Sequence, residues 1–436
     1  MKYIDWKAAS PHARRAALSR PAAVSRDEVF RQAAGIITAV RAEGDAAVRR
    51  FTTQFGGASL DNLRVSPAEF REARAALSAV QLAALERAVA NVARFHEAQL
   101  CAPLSVETMP GVRCERITRA IDSVGLYVPA GSAPLPSTAI MLAVPARIAG
   151  CRARAIASSP GPDGKLHAAV LVAAELCGVD TVYKMGGAQA IAAFAFGTES
   201  VRKVDKIFGP GSAWVTAAKQ IVAADPAGAA IDLPAGPSEV LVIADESANA
   251  RFVAADLLAQ AEHDTIAQVI LVTDSAQLAQ RVIVEVDEQT RALGRRDIIK
   301  QSMANSRCIV VTDLAAAMEV SNDYAPEHLI IQTRDPRALL ASVSCAGSVF
   351  LGAWSPESMG DYCSGTNHVL PTFGYARSYS GVSLLDYQKR ITVQELSADG
   401  LRALGPTAVT LSGMEGLDAH GNAVSVRLEA LAGGAA

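Results

Sequence analysis

Two short segments place side chains suited to metal binding and proton transfer near one another. Gln260 and His263 lie three residues apart at the end of a stretch, residues 255–263, that is predicted to be helical. At that spacing both side chains project from one face of a helix and can bind one ligand or metal ion. Glu327 precedes His328 at the predicted start of a strand, and a carboxylate beside an imidazole can handle two different protons in one site. The two segments indicate a metal-assisted enzyme rather than a binding scaffold.

A zinc site needs three or four nitrogen, oxygen or sulfur ligands. Gln260, His263, Asp361 and His420 would supply an amide, two imidazoles and a carboxylate. Glutamine is an uncommon zinc ligand, and Asp361 and His420 are distant in the chain. From spacing alone, ordinary solvated or turn residues explain such a set more often than a metal site does. A cysteine site is still less favoured, because the seven cysteines include no CxxC pair.

Glycine-rich turns are weak evidence for nucleotide binding. The chain has neither a GxGxxG motif after a strand nor a P-loop motif. Turns at residues 186–187 and 209–212 each precede a predicted helix, where backbone N–H groups can bind a phosphate. Such turns are usually only tight connections. The residues alone therefore predict a two-domain α/β enzyme and identify no cofactor.

Composition excludes several classes of protein. Half of the 436 residues are hydrophobic, which is enough for two cores. The net charge of −3 is evenly spread, and the densest basic run, Arg14-Arg15 followed by Arg20, is too thin for a nucleic-acid surface. No apolar stretch reaches the roughly 18 residues that a membrane span needs, and the first residues form no apolar signal region. With unpaired cysteines, these features predict a cytoplasmic protein that binds neither nucleic acid nor membrane.

Hydrophobic periodicity divides the chain into a helical N-terminal region, two α/β segments and a tail. Residues up to about 100 have helical spacing, and strand–helix alternation follows, interrupted by a Pro- and Gly-rich break at residues 232–238. This alternation predicts an α/β fold with two similar doubly wound, incomplete Rossmann-like domains and mostly parallel sheets. The tail after Gly381 is predicted to be helical and too small to fold alone. We expect it to pack on something else, such as another subunit.

The fold class also predicts where a ligand binds. In open α/β sheets, ligands usually bind beyond the carboxyl ends of the strands. We therefore expect Ser238, Gln260, Glu327 and Asp361 at that edge of a sheet.

Several separated motifs together resemble the histidinol dehydrogenase family. The likeness runs nearly from end to end, beginning with Ile4-Asp5-Trp6, and the motifs occur in the family's order. They are GLYVP at 125–129, GGAQAI at 186–191, IDLPAGPSEVL at 231–241, QAEH at 260–263, PEHL at 326–329, GDY at 360–362, SGTNHVLP at 364–371 and AHGNA at 419–423.

The resemblance implies an activity, two cofactors and a set of site residues. Members of the family oxidise L-histidinol through L-histidinal to L-histidine with two NAD+, in the last steps of histidine biosynthesis. The resemblance implies homodimers in which zinc, bound by Gln260, His263 and Asp361 of one subunit and His420 of its partner, positions the substrate. The same residues contact the substrate, together with Ser238, His328 and Glu415, and the NAD contacts fall at Tyr127, Gln189 and Ser212.

The family mechanism assigns different protons to two adjacent residues. His328 is expected to take the alcohol proton while hydride leaves to NAD+, and Glu327 is expected to activate the water that hydrates the aldehyde. His328 would then deprotonate the resulting diol. Adjacent side chains on an extended chain point in opposite directions, so this division depends on the turn that precedes His328.

One position departs from the family pattern, and one alternative activity remains. The family's Gly-Pro-Gly-Asn is Gly209-Pro210-Gly211-Ser212 here, and serine lacks the amide of asparagine. Relatives oxidise other small polyols, such as sulfonated propanediols. Glu415 argues against that substrate class, because a carboxylate suits a cationic amino alcohol and repels a sulfonate.

Predicted domain boundaries follow from the elements and the resemblance together. An N-terminal helical arm comprises residues 1–24. Residues 25–125 and 238–381 form an α/β domain with the metal and catalytic residues, and residues 126–237 form an inserted α/β domain for NAD. Residues 382–436 form a small tail domain that is exchanged between the subunits of a dimer.

Overall fold

The computed structural model describes residues 1–21, 26–130, 133–234 and 236–433. Backbone contacts divide the chain into two units, one comprising residues 1–99 and 121–387 and the other residues 100–120 and 388–436. The strands are β1 Lys2–Asp5, β2 Leu104–Met109, β3 Val112–Ala120, β4 Ser123–Val128, β5 Ala153–Ser158, β6 Thr181–Lys184, β7 Lys206–Phe208, β8 Ala230–Ile231, β9 Glu239–Ala244, β10 Gln268–Thr273, β11 Arg307–Val310, β12 His328–Gln332, β13 Ser348–Leu351 and β14 Gln388–Leu396.

The helices lie mostly between these strands. They are α1 Pro11–Ala17, α2 Arg26–Glu43, α3 Asp45–Gly56, α4 Pro67–Ala76, α5 Ala79–Glu97, α6 Pro136–Ala149, α7 Ala168–Leu176, α8 Gly187–Phe196, α9 Ala213–Ala224, α10 Ala250–Ala261, α11 Ala276–Thr290, α12 Arg296–Ala304, α13 Leu314–Tyr324, α14 Pro336–Leu339, α15 Glu357–Tyr362, α16 Ala398–Glu415 and α17 Asp418–Ala432. Short 3-10 turns cover Leu340–Ser342, Tyr375–Arg377 and Leu384–Tyr387.

The first unit contains two parallel sheets with the same internal strand order. The sheet of the inserted segment, here the NAD-half sheet, has the order β6-β5-β4-β7-β8. The other, here the metal-half sheet, has the order β11-β10-β9-β12-β13, with β1 added beside β11. In both, the first strand in the chain is central and the order is third, second, first, fourth, fifth. The predicted α/β fold with two similar doubly wound domains and mostly parallel sheets is therefore confirmed.

Alternating side chains bury both faces of these sheets. In β9, Val240 and Val242 pack in one cluster, whereas Leu241 and Ile243 pack in another on the opposite face. Strands covered by helices on both faces are apolar throughout, which explains the continuous hydrophobic run of this strand.

The second unit combines a three-stranded antiparallel sheet with a helical pair. Its strand order is β14-β3-β2, and β14 pairs with β3 along nine residues, from Gln388 opposite Ala120 to Leu396 opposite Val112. Helices α16 and α17 belong to the same unit.

Local structure differs from the sequence prediction in three places. Residues 1–24, predicted to be a helical arm, include β1, and the tail, predicted to be helical, includes β14. Residues 100–120, assigned from sequence to the metal-half domain, form β2 and β3, which pair with β14. Local periodicity cannot show a pairing between segments so far apart in the chain. The predicted boundary between residues 24 and 25 lies outside the described residues.

No helix among the described residues is both long enough and apolar enough to cross a membrane.

Candidate active site

Glu327 and His328 lie at the amino edge of the metal-half sheet, between its central strands. His328 begins β12 and is in register with Val240 of β9 and Ser348 of β13. Glu239 begins β9 at the same edge. Helix α10 follows β9 and returns antiparallel to it before β10, so Gln260 near its end comes back to this edge. The expectation that these residues lie beyond the carboxyl ends of the strands was therefore wrong.

The His328 ring is buried among acceptors, and these acceptors define its tautomer. Nδ1 lies 3.1 Å from the backbone oxygen of Glu239. Because a carbonyl can only accept, Nδ1 carries the hydrogen and Nε2 is left as the basic nitrogen. Nε2 is buried without a hydrogen-bond partner, 3.6 Å from Oδ1 of Asp361. The ring therefore presents a basic nitrogen toward the cluster of acidic groups.

Carboxylates surround His328 and change its protonation. Burial lowers the pKa of His328, but Glu357, Glu327 and Asp361 raise it more, so that the pKa lies well above its usual value. Burial also raises the pKa of Glu327 to about 8, although His328 and the backbone N–H of Glu239 act in the opposite direction. An acid–base pair in an active site usually consists of two neighbouring groups whose pKa values are altered.

Glu327 and His328 face the same site although they are neighbours in sequence. Oε2 of Glu327 accepts a hydrogen bond of 2.8 Å from the backbone N–H of Glu239 and lies 3.6 Å from Nδ1 of His328. The preceding Ala325 has φ 53° in the left-handed region, which turns the chain just before the pair. After this turn, both side chains face one site although they are adjacent in the chain.

A cluster of possible metal ligands lies beside this pair. Ligand atoms of His263, Glu357 and Asp361 all lie within 4.8 Å of one another. Asp361 and Glu357 come from the short helix α15, whereas His263 directly follows the C-cap of α10. Burial raises the pKa of Asp361, but the hydrogen bond and charge of His328 lower it more, which favours the anionic form that binds a cation.

The amide of Gln260 gives a test of whether a cation fits. With its nitrogen turned inward, Gln260 donates to both carboxylate oxygens of Glu357 and lies 3.2 Å from Nδ1 of His328. With its oxygen turned inward, the amide oxygen of Gln260 faces the carboxylate of Glu357, so that two acceptors oppose each other. A cation between them would relieve the repulsion in that second orientation, and the donors are an imidazole, carboxylates and an amide oxygen, which suit a divalent metal. The residues present therefore fit a bound metal.

His368 connects the cluster to the NAD half. Its Nδ1 lies 2.7 Å from the backbone oxygen of Asp361, and its Nε2 lies 3.0 Å from Oγ1 of Thr138 in the first turn of α6. Helix α6 follows the carboxyl end of β4. The connection between β8 and β9, residues 232–238, also joins the carboxyl edge of the NAD-half sheet to the amino edge of the metal-half sheet. The two edges therefore adjoin each other.

The predicted NAD contacts occur at the carboxyl edge of the NAD-half sheet. Tyr127, near the end of β4, accepts a 3.0 Å hydrogen bond from the backbone N–H of Gly187 at the start of α8. Oε1 of Gln189, in the first turn of α8, is buried without a hydrogen-bond partner in the protein. Ser212 is the exposed N-cap of α9 and makes no side-chain cap bond. A buried unpaired acceptor at a helix start fits a polar ligand there.

The remaining predicted site residues are described by their element and their exposure. Ser238 directly precedes β9 and is half-buried at the amino edge. Glu415 ends α16 and His420 lies in the first turn of α17, and both are exposed residues of the second unit.

Three residues of the site were not identified as such from sequence. They are Glu357 in the metal cluster, Glu239 against both catalytic candidates, and His368 at the link to α6. His368 lies within a family motif, and Glu239 follows Ser238 in another. Glu357 lies four residues before Asp361, the spacing at which a short helix brings two carboxylates to one face.

Comparisons with known proteins agree with the sequence motifs. The family model described as histidinol dehydrogenase matches residues 19–428. The histidinol dehydrogenase of Vibrio vulnificus (strain CMCP6) is 53% identical over 431 residues, covering 99% of both chains. That of Xanthomonas euvesicatoria pv. vesicatoria is 54% identical over 428 residues, covering 98% of this chain and 99% of the relative. The crystal structure of histidinol dehydrogenase from Elizabethkingia anophelis matches with a TM-score of 0.94 at 43% identity, covering 99% of this chain and 98% of that one.

Proposed function

The chain belongs to the histidinol dehydrogenase family, and we propose that it oxidises L-histidinol through L-histidinal to L-histidine with two NAD+. The observation that carries this proposal is the buried Glu327–His328 pair beside the cluster of His263, Glu357 and Asp361. So many carboxylates favour a cationic amino alcohol over a sulfonated propanediol, because an anionic substrate would be repelled.

The metal is proposed to be zinc, bound by Gln260, His263 and Asp361 of one subunit and by His420 of the other. The geometry of the first three supports this set, and Glu357 lies within reach of the same position. Zinc bound there would hold the imidazole and amino groups of histidinol and so fix the position of the reacting carbon. Ser238 and Glu415 complete the substrate contacts in this proposal.

The first oxidation needs one base. Nε2 of His328 takes the proton of the alcohol as the carbon transfers hydride to NAD+ and becomes the aldehyde carbon. In the neutral ring, which the raised pKa of His328 favours only at higher pH, the unpartnered Nε2 with Nδ1–H bound to a carbonyl is the correct tautomer for this step.

The second oxidation needs a hydrated aldehyde. Glu327 in its carboxylate form takes a proton from water as the water oxygen bonds to the aldehyde carbon. Protonated Nε2 of His328 returns its proton to the former carbonyl oxygen, which gives the geminal diol and leaves Nε2 free to act as base again. Nε2 of His328 then takes a proton from the diol as the second hydride leaves to NAD+, which gives the carboxylic acid, and this acid loses its proton to water to become the carboxylate product. Tyr127, Gln189 and Ser212 hold the cofactor in this proposal.

We propose that the active enzyme is a homodimer in which tails are exchanged. Exposed apolar side chains on α16 support this, since Leu411 is 54% and Met414 78% exposed in the single chain. On the first unit, Trp354 is 86% exposed. Large exposed apolar side chains are typical of surfaces that a partner covers. The cytoplasmic location and the absence of nucleic-acid binding stay predictions.

Absorbance of NADH tests the activity and metal analysis tests the site. We expect two NADH per L-histidinol, bound zinc in the purified protein, and loss of turnover on chelation that zinc reverses. His263→Asn should lose most of the metal and the activity, whereas His12→Asn, at an exposed residue of α1, should keep both. A His263→Asn protein with full zinc and full activity would contradict the assignment.

A further inference from the structure

Arg20 makes a buried ion pair at the base of the active site. Its Nε donates to Oε1 of Glu239 at 2.5 Å, and one terminal nitrogen donates to Oε2 at 2.8 Å. The Glu239 side chain is only 2% exposed and that of Arg20 14%. The backbone N–H of Phe373 also donates to this carboxylate, at 2.7 Å.

The backbone of Glu239 holds both proposed catalytic side chains. Its N–H donates to Oε2 of Glu327, and its carbonyl oxygen accepts from Nδ1 of His328. The position of this one residue at the start of β9 therefore sets the orientation of the Glu327 carboxylate and the tautomer of the His328 ring.

Arg20 also contacts the turn that leads into the catalytic pair. The same terminal nitrogen donates to the backbone oxygen of Tyr324 at 2.8 Å and lies 3.4 Å from that of Ala325. The guanidinium lies over the Tyr324 ring, 4.0 Å from its centroid. Ala325 has the left-handed conformation, which an L-residue keeps only where its surroundings hold it.

From these contacts we propose that Arg20 is a positioning residue for both oxidation steps. A single guanidinium joins the two chain segments that carry the machinery: it holds Glu239 at the start of β9 through the carboxylate and the turn before Glu327 through backbone oxygens. Arginine suits this role because its planar fork binds two carboxylate oxygens at once, while a lysine ammonium cannot. The assignment of the two steps rests on the proposed function, but the positioning of the His328 ring does not.

Kinetics of Arg20 variants test the effect on the chemistry. Arg20→Gln should lower kcat for both the alcohol and the aldehyde step by roughly 10- to 100-fold, the usual loss when an outer partner of a site is removed. The KM values for histidinol and NAD+ should change little, and the zinc content should stay the same. Arg20→Lys should recover part of the loss. Arg14→Gln is the matched control, because Arg14 also donates to a backbone oxygen and lies over an indole ring, that of Trp6, away from the site.

A merely structural role gives a different result. The protein would then lose thermal stability and folded yield, while kcat per zinc-loaded site stayed at the wild-type value in every Arg20 variant, and that result would overturn the proposal. If Arg20→Gln does not fold, Arg20→Lys decides in the same way, since it keeps the charge and loses the two-oxygen contact.

The tautomer of His328 gives a readout that is independent of activity. With 15N-labelled histidine, only seven residues contribute, and the His328→Asn spectrum identifies the resonance of interest. Where the imidazole is neutral, wild type should show the hydrogen on Nδ1, and Arg20→Lys and Arg20→Gln should show a mixture of tautomers. An unchanged tautomer in both variants would overturn the proposal. Failure of wild type to oxidise histidinol would instead overturn the proposed function and leave this measurement valid.

Discussion

At the scale of single residues, the burial of Glu327 disfavours the carboxylate, which is the form that it needs in order to act as a base. Burial raises its pKa to about 8, so that the carboxyl is mostly protonated at neutral pH. Only the carboxylate can take a proton from water. The folded site therefore keeps the water-activating group partly inactive until the pH rises.

This predicts the pH dependence of the aldehyde step. Its rate should rise with pH toward a limit above about pH 8, because the deprotonated fraction of Glu327 rises through its pKa. Glu327→Gln should slow this step by roughly 10²–10⁴-fold, with a smaller effect on the alcohol step, and should remove the part of the rise that belongs to Glu327. The raised pKa of His328 leaves a rise with pH in both steps. Stopped-flow measurement of NADH from histidinal and from histidinol separates the two. Glu319→Gln, at an exposed carboxylate of α13, is the control, and equal losses in both steps for the Glu327 variant would contradict the division of roles.

Ser212 is a second residue with a specific prediction. Serine makes no side-chain cap bond at the start of α9, and Trp214 is already engaged, since its indole N–H donates to Gln32 at 2.8 Å. Ser212→Asn restores the amide of the family pattern, so the KM for NAD+ should fall while the KM for histidinol stays unchanged. Steady-state kinetics with each substrate varied in turn will check this. If neither constant changes, the amide is dispensable in this chain.

Residue types and spacing predicted part of the site. Glu327 and His328 were identified as an acid–base pair because they are adjacent, and Gln260 and His263 because helical spacing brings them together. Arg20 appeared only as part of a thin basic run, since its partner Glu239 is far away in the chain. Contacts of that kind depend on the tertiary fold and leave no periodic signal in the sequence.

At the scale of elements, strand alternation predicted the fold but not the edge that carries the chemistry. The usual rule places ligands at the carboxyl ends of parallel strands. The NAD half follows it, with Tyr127 and the start of α8 at that edge. The metal half does not, because its proposed site residues come from strand starts and from the returning end of α10. A ligand that spans two sheets needs one edge from each, which a rule for a single sheet does not foresee.

A buried ion pair between Lys219 of α9 and Asp232 lies within the NAD half and can be tested. Nζ of Lys219 pairs with Asp232 and donates to the backbone oxygens of Gly209 at 2.8 Å and Leu233 at 3.2 Å, and Asp232 accepts from the N–H of Gly209 at 2.7 Å. Gly209 has φ +123°, and a Cβ there would lie 2.1 Å from the backbone oxygen of Tyr127, so only glycine fits at this position.

Lys219→Met should therefore destabilise the fold by about 3–5 kcal/mol, because it leaves the buried Asp232 charge without its partner. It should also raise the KM for NAD+ more than that for histidinol, since Gly209 begins the loop at the cofactor edge. Denaturant unfolding and steady-state kinetics measure the two effects. Lys203→Met is the control, because the exposed Lys203 holds a single backbone oxygen, that of Ala227. Equal effects of the two substitutions would contradict the role of the buried pair.

At the scale of the whole molecule, the sequence predicted a tail too small to fold alone but did not predict its partner strands. The tail joins residues 100–120 through the β3–β14 pairing, so its unit is larger than the 382–436 segment predicted. This unit carries Glu415 and His420, both exposed in the single chain. Residues that the family resemblance assigns to the site, yet that lie exposed beside apolar Leu411 and Met414, are consistent with a surface that a second subunit covers.

Mixed dimers test whether His420 serves the partner's site. His328→Ala and His420→Ala chains should each be inactive as homodimers, because one loses the base and the other a metal ligand. In a mixed dimer with exchanged tails, the chain that keeps His328 receives the tail that keeps His420, so one site is intact and the other lacks both residues. Co-refolding equal amounts makes about half of the dimers mixed, each with one of its two sites working, so activity should return to about a quarter of the wild-type value. If each tail served its own chain, every site in the mixed dimer would still lack one residue. Activity near zero in dimers shown by mass spectrometry to be mixed would thus place His420 in the site of its own subunit.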